Sequence, residues 1–292
     1  MCRWMAWIGQ PLLIDELLFK TPHGIVDQSL HSRLGAEPTN GDGFGVGWYG
    51  DGEGPGVYHS VSPAWSDANL RELAAHIESP LFMAHVRAAI GSPVQETNCH
   101  PFRDGRWLFV HNGFIADFHT LRRDLMLAVD PARFADIHGS TDTEVVFYLA
   151  LAFGLKDDPI EALERTVGFI ETTAREHGVD APVQASFGVA DGDTLWAVRY
   201  ATEGVPRSLF ASSDVTTVQQ LHPDNPRLQQ LSSEDRLIVS EPFSDLPGSW
   251  QEIEPSTAVT VRHGGVLEQQ PIRPRADGPP PIVRQFAGAA GA

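Results

Sequence analysis

The second residue of the chain combines the two groups that a self-contained nucleophile needs. The sequence begins Met1-Cys2-Arg3, and removal of Met1 would leave Cys2 with a thiol and a free α-amine. A cysteine thiol has a pKa of about 8.5, and an α-amine has one of about 7.7–8.0. Near neutral pH the amine could therefore accept the thiol proton, directly or through one water, as in the N-terminal variant of a nucleophile and its base. The position alone equally fits a cysteine without a catalytic role.

Four further segments carry polar residues beside apolar runs, and their sequences are His85-Val86-Arg87-Ala88, Asn98-Cys99-His100-Pro101-Phe102, His111-Asn112-Gly113 and Thr141-Asp142-Thr143-Glu144. Taken singly, each has a simple structural explanation. Arg87 fits a surface salt bridge, Asn112-Gly113 is a common hairpin turn, and Asp142 in a first helical turn suits the helix dipole.

Three buried strands and one helix would bring these residues together. Residues 4–8, 81–87 and 107–113 are short runs of large apolar side chains, as is typical of buried strands. Each would deliver a polar residue to a strand end. Thr141 and Glu144 have the spacing of a capping box ahead of the apolar residues 145–153, which predicts the start of a helix there.

A glycine-alternating stretch, residues 41–49, is predicted to be a strand that other backbone approaches closely. It lacks the GxGxxG order of a phosphate-binding loop. Further helices are predicted from Ser66 to just before Pro80 and from Asp158 to about His177.

The last third of the chain is dominated by strand patterns. Residues 184–190 and 194–200 predict a hairpin, and residues 209–212, 237–240 and 258–262 predict further short strands. Strands, then two adjacent helices, then strands favour sheets covered by helices over alternating βαβ units. We expect one domain over residues 2–270 and a flexible proline-rich tail over residues 271–292.

Composition restricts the function classes. The 292 residues carry 21 basic and 38 acidic side chains, a net charge of −17, and such a surface repels nucleic acid and anionic membranes. No apolar run reaches the about 18 residues of a membrane span, and the N-terminus does not match a signal peptide. Two cysteines cannot form a disulfide framework, so we expect a cytoplasmic protein.

Together, the five segments resemble the class II glutamine amidotransferases, a branch of the N-terminal nucleophile hydrolases. The resemblance is closest to stand-alone members that begin Met-Cys-Arg and contain Asp-Gly-Phe-Gly-Val-Gly-Trp, which is residues 42–48 here. It covers residues 2–153 through motifs, and the later strands fit the second half of the same fold. It implies a single α+β, four-layer αββα sandwich.

The resemblance also implies a role for each site residue. Cys2 would be the nucleophile, with its own amine as the base. Arg87 would bind the substrate α-carboxylate and Asp142 its α-ammonium. The Asn112 side chain and the Gly113 backbone N–H would form the oxyanion hole. The neighbouring residues His111 and Thr141 would also line the substrate site.

The implied activity is hydrolysis of the side-chain amide of glutamine or of a γ-glutamyl compound, through a thioester on Cys2, without a metal or cofactor. No acceptor domain is recognisable, so ammonia could pass to a separate subunit, and a homo-oligomer is open. The alternative is a non-catalytic subunit that binds a glutamyl ligand for regulation. His85, His100 and His111 with Cys99 match no usual zinc spacing, so Cys99 is predicted to be a buried apolar filler.

Overall fold

Two antiparallel sheets form the centre of the protein. The computed structural model describes residues 2–34, 39–89, 91–221, 223–224 and 226–276. Sheet A has the strand order β11-β9-β10-β1-β4-β2-β3, formed by β1 (Arg3–Leu13), β2 (Phe44–Trp48), β3 (Gly56–Ser60), β4 (Glu78–Val86), β9 (Phe210–Ser212), β10 (Arg236–Val239) and β11 (Trp250–Glu252).

Sheet B has the order β13-β12-β8-β7-β6-β5, formed by β5 (Phe102–Asp104), β6 (Trp107–Ile115), β7 (Val183–Ala190), β8 (Thr194–Ala201), β12 (Thr257–Arg262) and β13 (Leu267–Pro271). The helices are α1 (Ile14–Leu18), α2 (Ile25–Leu30), α3 (Ala68–His76), α4 (Phe118–Leu127), α5 (Asp142–Ala152), α6 (Pro159–Glu176), α7 (Val215–Leu221) and α8 (Pro226–Gln229).

The two sheets pack face to face through a shared apolar core. Trp4 and Met83 of sheet A belong to the same buried cluster as Leu108, Val110 and Ala197 of sheet B. Alternate residues of these strands point the other way, as the two-residue period of a strand requires. The inner core therefore joins sheet to sheet, which confirms the predicted sandwich.

Helices cover the outer face of each sheet. On sheet A, Trp7 and Phe82 pack with Leu18 of α1 and Leu70 of α3. A second outer cluster joins sheet B to its own helices through the buried side chains Phe109, Leu121, Leu125, Phe147, Leu163 and Phe187. These four layers confirm the αββα arrangement.

The predicted strands and helices are confirmed, and the structure adds further elements, of which α4 alters the predicted order. Helix α4 was not predicted, and it packs its buried Leu121 and Leu125 beside α5 and α6. Three helices, rather than two adjacent ones, therefore separate β6 from β7. Only two fully buried apolar side chains in ten residues made this helix hard to recognise from its pattern.

The glycine-rich stretch forms β2, as predicted, and the backbone approach is close. A Cβ on Gly45 would lie 2.1 Å from the His100 carbonyl oxygen, and one on Gly47 would lie 2.8 Å from Leu108 Cδ1. The glycines thus let the segment before β5 lie against β2.

The chain beyond β13 remains packed as far as Arg275. Ile272 is buried, the Arg273 N–H donates to Glu164 Oε1 at 2.7 Å, and Arg275 pairs with Glu161 of α6. The first residues of the predicted flexible tail therefore lie on α6. Residues 277–292 of that prediction lie outside the described residues.

Within the described ranges, no helix is long and apolar enough to cross a membrane. A cavity of about 970 Å³ lies on the outer side of sheet A, lined by side chains that include Trp7, Leu17, Leu237, Phe243 and Trp250. None of the residues predicted for the catalytic site lines it.

Candidate active site

Cys2 lies directly before β1, and its thiol is directed at the turn after β4. Its Sγ is 3.7 Å from the Ala88 carbonyl oxygen. Burial raises the pKa of the thiol, while the charge of Arg87 lowers it and that of Asp142 raises it. Two side chains of opposite charge, one directly after β4 and one at the start of α5, therefore both affect the pKa of the thiol. The roles of Arg87 and Asp142 in binding a substrate stay predictions.

Arg87 follows β4 and is 3% exposed, so the explanation as a surface salt bridge is wrong. Its guanidinium donates to Ser92 Oγ at 2.6 Å, to the Pro93 carbonyl oxygen at 3.1 Å and to the Asp42 carbonyl oxygen at 3.3 Å. These acceptors are all neutral, and no carboxylate of the described chain forms an ion pair with Arg87.

Asp42 stabilises the turn after β4 through two hydrogen bonds. Its Oδ2 accepts the Ala89 N–H at 2.8 Å, and its own N–H donates to the Arg87 carbonyl oxygen at 3.0 Å. Sequence reasoning placed Asp42 in a motif without giving it a role. Its contacts show that it shapes the backbone facing the Cys2 thiol.

Asp142 is the first residue of α5 and reaches across to the end of β6. Its Oδ2 accepts the Ile115 N–H at 2.8 Å, and its Oδ1 accepts the Thr143 N–H at 2.7 Å. These bonds hold the Asp142 carboxylate in place beside the end of β6. The carboxylate is half-buried, so it stays open to a ligand.

Thr141 caps α5 as predicted, because its Oγ1 accepts the Glu144 N–H at 3.3 Å. The reciprocal half of the capping box is absent. Glu144 instead accepts the His138 and Gly139 N–H groups at 2.8 and 2.7 Å. Thr141 is therefore held at the helix start, and its contact with a substrate stays a prediction.

Asn112 and Gly113 lie inside β6, which continues to Ile115, so the hairpin-turn explanation is wrong. Asn112 is opposite Ser186 and Gly113 is opposite Ala185 of β7. A Cβ on Gly113 would lie 1.9 Å from the Gln184 carbonyl oxygen. Only glycine fits at this position in the sheet.

A hydrogen-bonded path links the nucleophile strand to this segment across the two sheets. Trp4 Nε1 donates to Ser186 Oγ at 3.0 Å, and Ser186 Oγ lies 3.5 Å from the Asn112 carbonyl oxygen. Because Trp4 is two residues from Cys2, the path fixes the spacing between Cys2 and Asn112. No local pattern in the sequence points to Ser186.

Four histidines, on or next to strands β3, β4, β5 and β6, are in the neutral form. Burial lowers the pKa of His59, His85, His100 and His111, to about 3 for His85. His85 and His100 stack with ring centroids 4.0 Å apart, and His111 Nδ1 bonds Thr143 Oγ1 at 2.9 Å. This hydrogen bond links His111, two residues before Gly113 in β6, to the first turn of α5. No metal-holding group of three or more ligating side chains occurs in the described part of the chain.

Known proteins resemble this chain over most of its length. The family described as "Glutamine amidotransferases class-II" matches residues 21–280. The chain is 33% identical to the "Probable glutamine amidotransferase DUG3" of Saccharomyces cerevisiae over 91% of its own length and 83% of that protein. It is 28% identical to the "Gamma-glutamyl-hercynylcysteine sulfoxide hydrolase" of Mycolicibacterium smegmatis, over 91% of its length and 98% of that protein.

A solved structure shows the same fold. The glutamine aminotransferase class-II domain protein from Silicibacter pomeroyi superposes with a TM-score of 0.71 at 30% identity, over 94% of this chain and 99% of that one. The glutamine phosphoribosylpyrophosphate amidotransferase of B. subtilis, at 15% identity and a TM-score of 0.59, shares the fold alone.

Fold and site together define an enzyme of the N-terminal nucleophile class, in which two sheets hold a cysteine at a strand end beside a buried arginine. Within that class, the chain belongs to the class II glutamine amidotransferases.

Proposed function

We propose that the protein hydrolyses the side-chain amide of a γ-glutamyl compound through a thioester on Cys2. The observation that carries the proposal is the pair of opposite charges at the thiol. Arg87 offers a buried cation without a carboxylate partner in the described chain, and Asp142 offers a fixed anion. A free α-amino acid group carries one carboxylate and one ammonium, which matches this pair.

The reaction uses groups of this chain alone. Once Met1 is removed, the Cys2 amine accepts the thiol proton, and the thiolate attacks the amide carbon. The Asn112 amide and the Gly113 N–H donate to the oxyanion, and losing one such donor typically costs about 10²–10³ in kcat. The C–N bond then breaks, and the leaving amine takes the proton. Water hydrolyses the thioester, which releases the glutamyl acid and restores the thiol.

The two named relatives differ in substrate, since one is called a glutamine amidotransferase and the other a hydrolase of a γ-glutamyl compound. Both names share the γ-glutamyl group, and Arg87 and Asp142 are suited to that shared part. We therefore assign the γ-glutamyl group as the recognised element, with ammonia or a larger amine as the leaving group. Ammonia transfer to a separate acceptor subunit is compatible with this site.

Mass spectrometry after treatment with 6-diazo-5-oxo-norleucine tests the proposal. We expect one adduct, on Cys2, in protein that lacks Met1, and glutamate release from glutamine or a γ-glutamyl peptide. Cys2→Ser should bind the ligand without releasing glutamate, and Cys99→Ser is the matched control because Cys99 is buried. Retained Met1, an unmodified Cys2 or full activity in Cys2→Ser would contradict the mechanism. Ligand binding without turnover in the wild type would favour the regulatory alternative.

A further inference from the structure

Arg3 is an arginine buried beside the nucleophile, and the proposed reaction gives it no role. It is 2% exposed and begins β1, where it pairs with Val86 of β4. One nitrogen of its guanidinium donates to the Cys2 carbonyl oxygen at 2.9 Å, and its Nε donates to Glu241 Oε2 at 3.1 Å. The guanidinium thus joins the nucleophile to Glu241, which is 238 positions from Arg3 in the sequence.

Glu241 is 1% exposed and is the partner that holds this arginine. Burial alone would raise its pKa, but the N–H groups of Arg33 and Leu34, the His23 ring and the Arg3 charge hold the pKa below its ordinary value. The Arg33 and Leu34 N–H groups lie 3.0 Å from its oxygens, and His23 Nε2 lies 2.7 Å away. Glu241 is therefore ionised, and both of its carboxylate oxygens accept hydrogen bonds.

Stability alone does not explain such a pair. Moving two charges out of water costs more than their attraction returns unless further bonds satisfy them, and apolar replacements are often equally stable. Here the anchored arginine donates one bond to the carbonyl of Cys2, a residue that lies one position outside the β1–β4 ladder. Cys2, whose position matters most for the proposed reaction, therefore lies outside the β1–β4 pairing.

On the basis of the proposed function, we propose that Arg3 and Glu241 are positioning residues that fix the main chain of Cys2 for attack. Two anchors are needed because the thiol and the amine share one Cα. Arg3 holds the carbonyl, and the Ala88 carbonyl oxygen holds Sγ. With both ends fixed, rotations about the Cα–C and Cα–Cβ bonds are restricted together, and the amine stays beside the sulfur.

The test measures chemistry and reactivity separately in Glu241→Gln. We expect kcat for glutamate release to fall at least tenfold with KM within twofold, because Arg87 and Asp142 are untouched. The rate of Cys2 alkylation by iodoacetamide should fall at least threefold at pH 7, and its pH midpoint should rise because the amine no longer lies beside the thiol. Glu241→Asp keeps the charge and should recover part of both losses.

Glu164→Gln is the matched control. Glu164 is also a buried carboxylate that accepts a backbone N–H and pairs with an arginine, but it lies on α6. We expect wild-type kinetics from it. Intact mass must show Met1 removal in every variant.

Unchanged kcat and alkylation in folded Glu241→Gln would overturn the proposal, and so would an equal loss in Glu164→Gln. If Glu241→Gln does not fold, Arg3→Lys decides the question, because a single ammonium keeps the ion pair but loses the fork. Wild-type values in Arg3→Lys would then overturn the proposal. If the wild type releases no glutamate, the proposed function fails, while alkylation still tests positioning.

Discussion

Arg87 holds a guanidinium in the protein interior against three neutral oxygens. Burying a charge is costly unless it is paired and hydrogen-bonded, and here the hydrogen bonds are present while a carboxylate partner is absent from the described chain. A ligand carboxylate would supply the missing charge. Under the proposed function, we therefore expect Arg87 to contribute to substrate binding more than to bond cleavage.

Arg87→Ala is expected to raise KM by about 10–100-fold, since hydrogen bonds to charged groups contribute about 1.5–3 kcal/mol. The α-carboxylate is several bonds from the reacting amide, so kcat should stay within threefold. Steady-state kinetics with γ-glutamyl substrates measure both. Arg106→Ala, which removes an exposed ion pair with Asp193, is the control. A loss confined to kcat would contradict the carboxylate role.

At the scale of elements, the fully buried Asn98 joins the two segments that carry the charge pair. Its Nδ2 donates to the Pro93 carbonyl oxygen at 2.9 Å, and Pro93 also accepts from Arg87. Its Oδ1 accepts the Ser140 N–H at 2.8 Å, two residues before Asp142. The Asn98 side chain thereby sets the distance between the Arg87 guanidinium and the Asp142 carboxylate.

Asn98→Ala should therefore raise KM by about tenfold, which corresponds to about 1.4 kcal/mol. It should also lower the free energy of unfolding by about 1–3 kcal/mol, because buried groups of Pro93 and Ser140 lose a partner. Kinetics and urea unfolding test these effects. Gln95→Ala, which leaves both bonds in place, should change KM less than twofold. An unchanged KM in folded Asn98→Ala would argue against the bridge.

Sequence patterns predicted the strands beside Cys2, Arg87 and Asn112, because continuous apolar runs are local features. The strand end expected at Asn112 is wrong, because β6 continues to Ile115. Sequence patterns also predicted the helix start at Thr141, since its cap lies within four residues. Ser186 and Glu241 were missed as site residues because their partners are distant in sequence, and Asn98, although its segment was singled out, was given no role. A hydrogen bond between residues 182 or 238 positions apart leaves no periodic signal.

For the whole molecule, the neutral histidine cluster predicts acid sensitivity. The pKa of buried His85 is about 3 in the folded state and about 6.5 when unfolded. Between these values only the unfolded chain binds the proton, so stability is complete above about pH 6.5 and falls as the pH drops towards 3. Each such histidine contributes a slope of up to about 1.4 kcal/mol per pH unit.

Thermal unfolding from pH 7 to pH 5 tests this expectation. The wild-type Tm should fall with pH, and His85→Phe, which replaces one titrating ring with an apolar one, should show a smaller fall. His76→Gln changes an exposed histidine and should follow the wild type. Parallel curves for all three proteins would show that His85 does not contribute.

The position of β1 between β10 and β4 has a consequence for synthesis of the protein. The strand that follows the nucleophile pairs with residues 236–239 on one side and with residues 78–86 on the other. While a ribosome is still making the first two hundred residues, one flank of β1 has no partner and Arg3 has no Glu241. A nascent chain therefore carries the Cys2 thiol before the contacts that position it, and we expect the proposed catalytic arrangement to form only when translation is nearly finished.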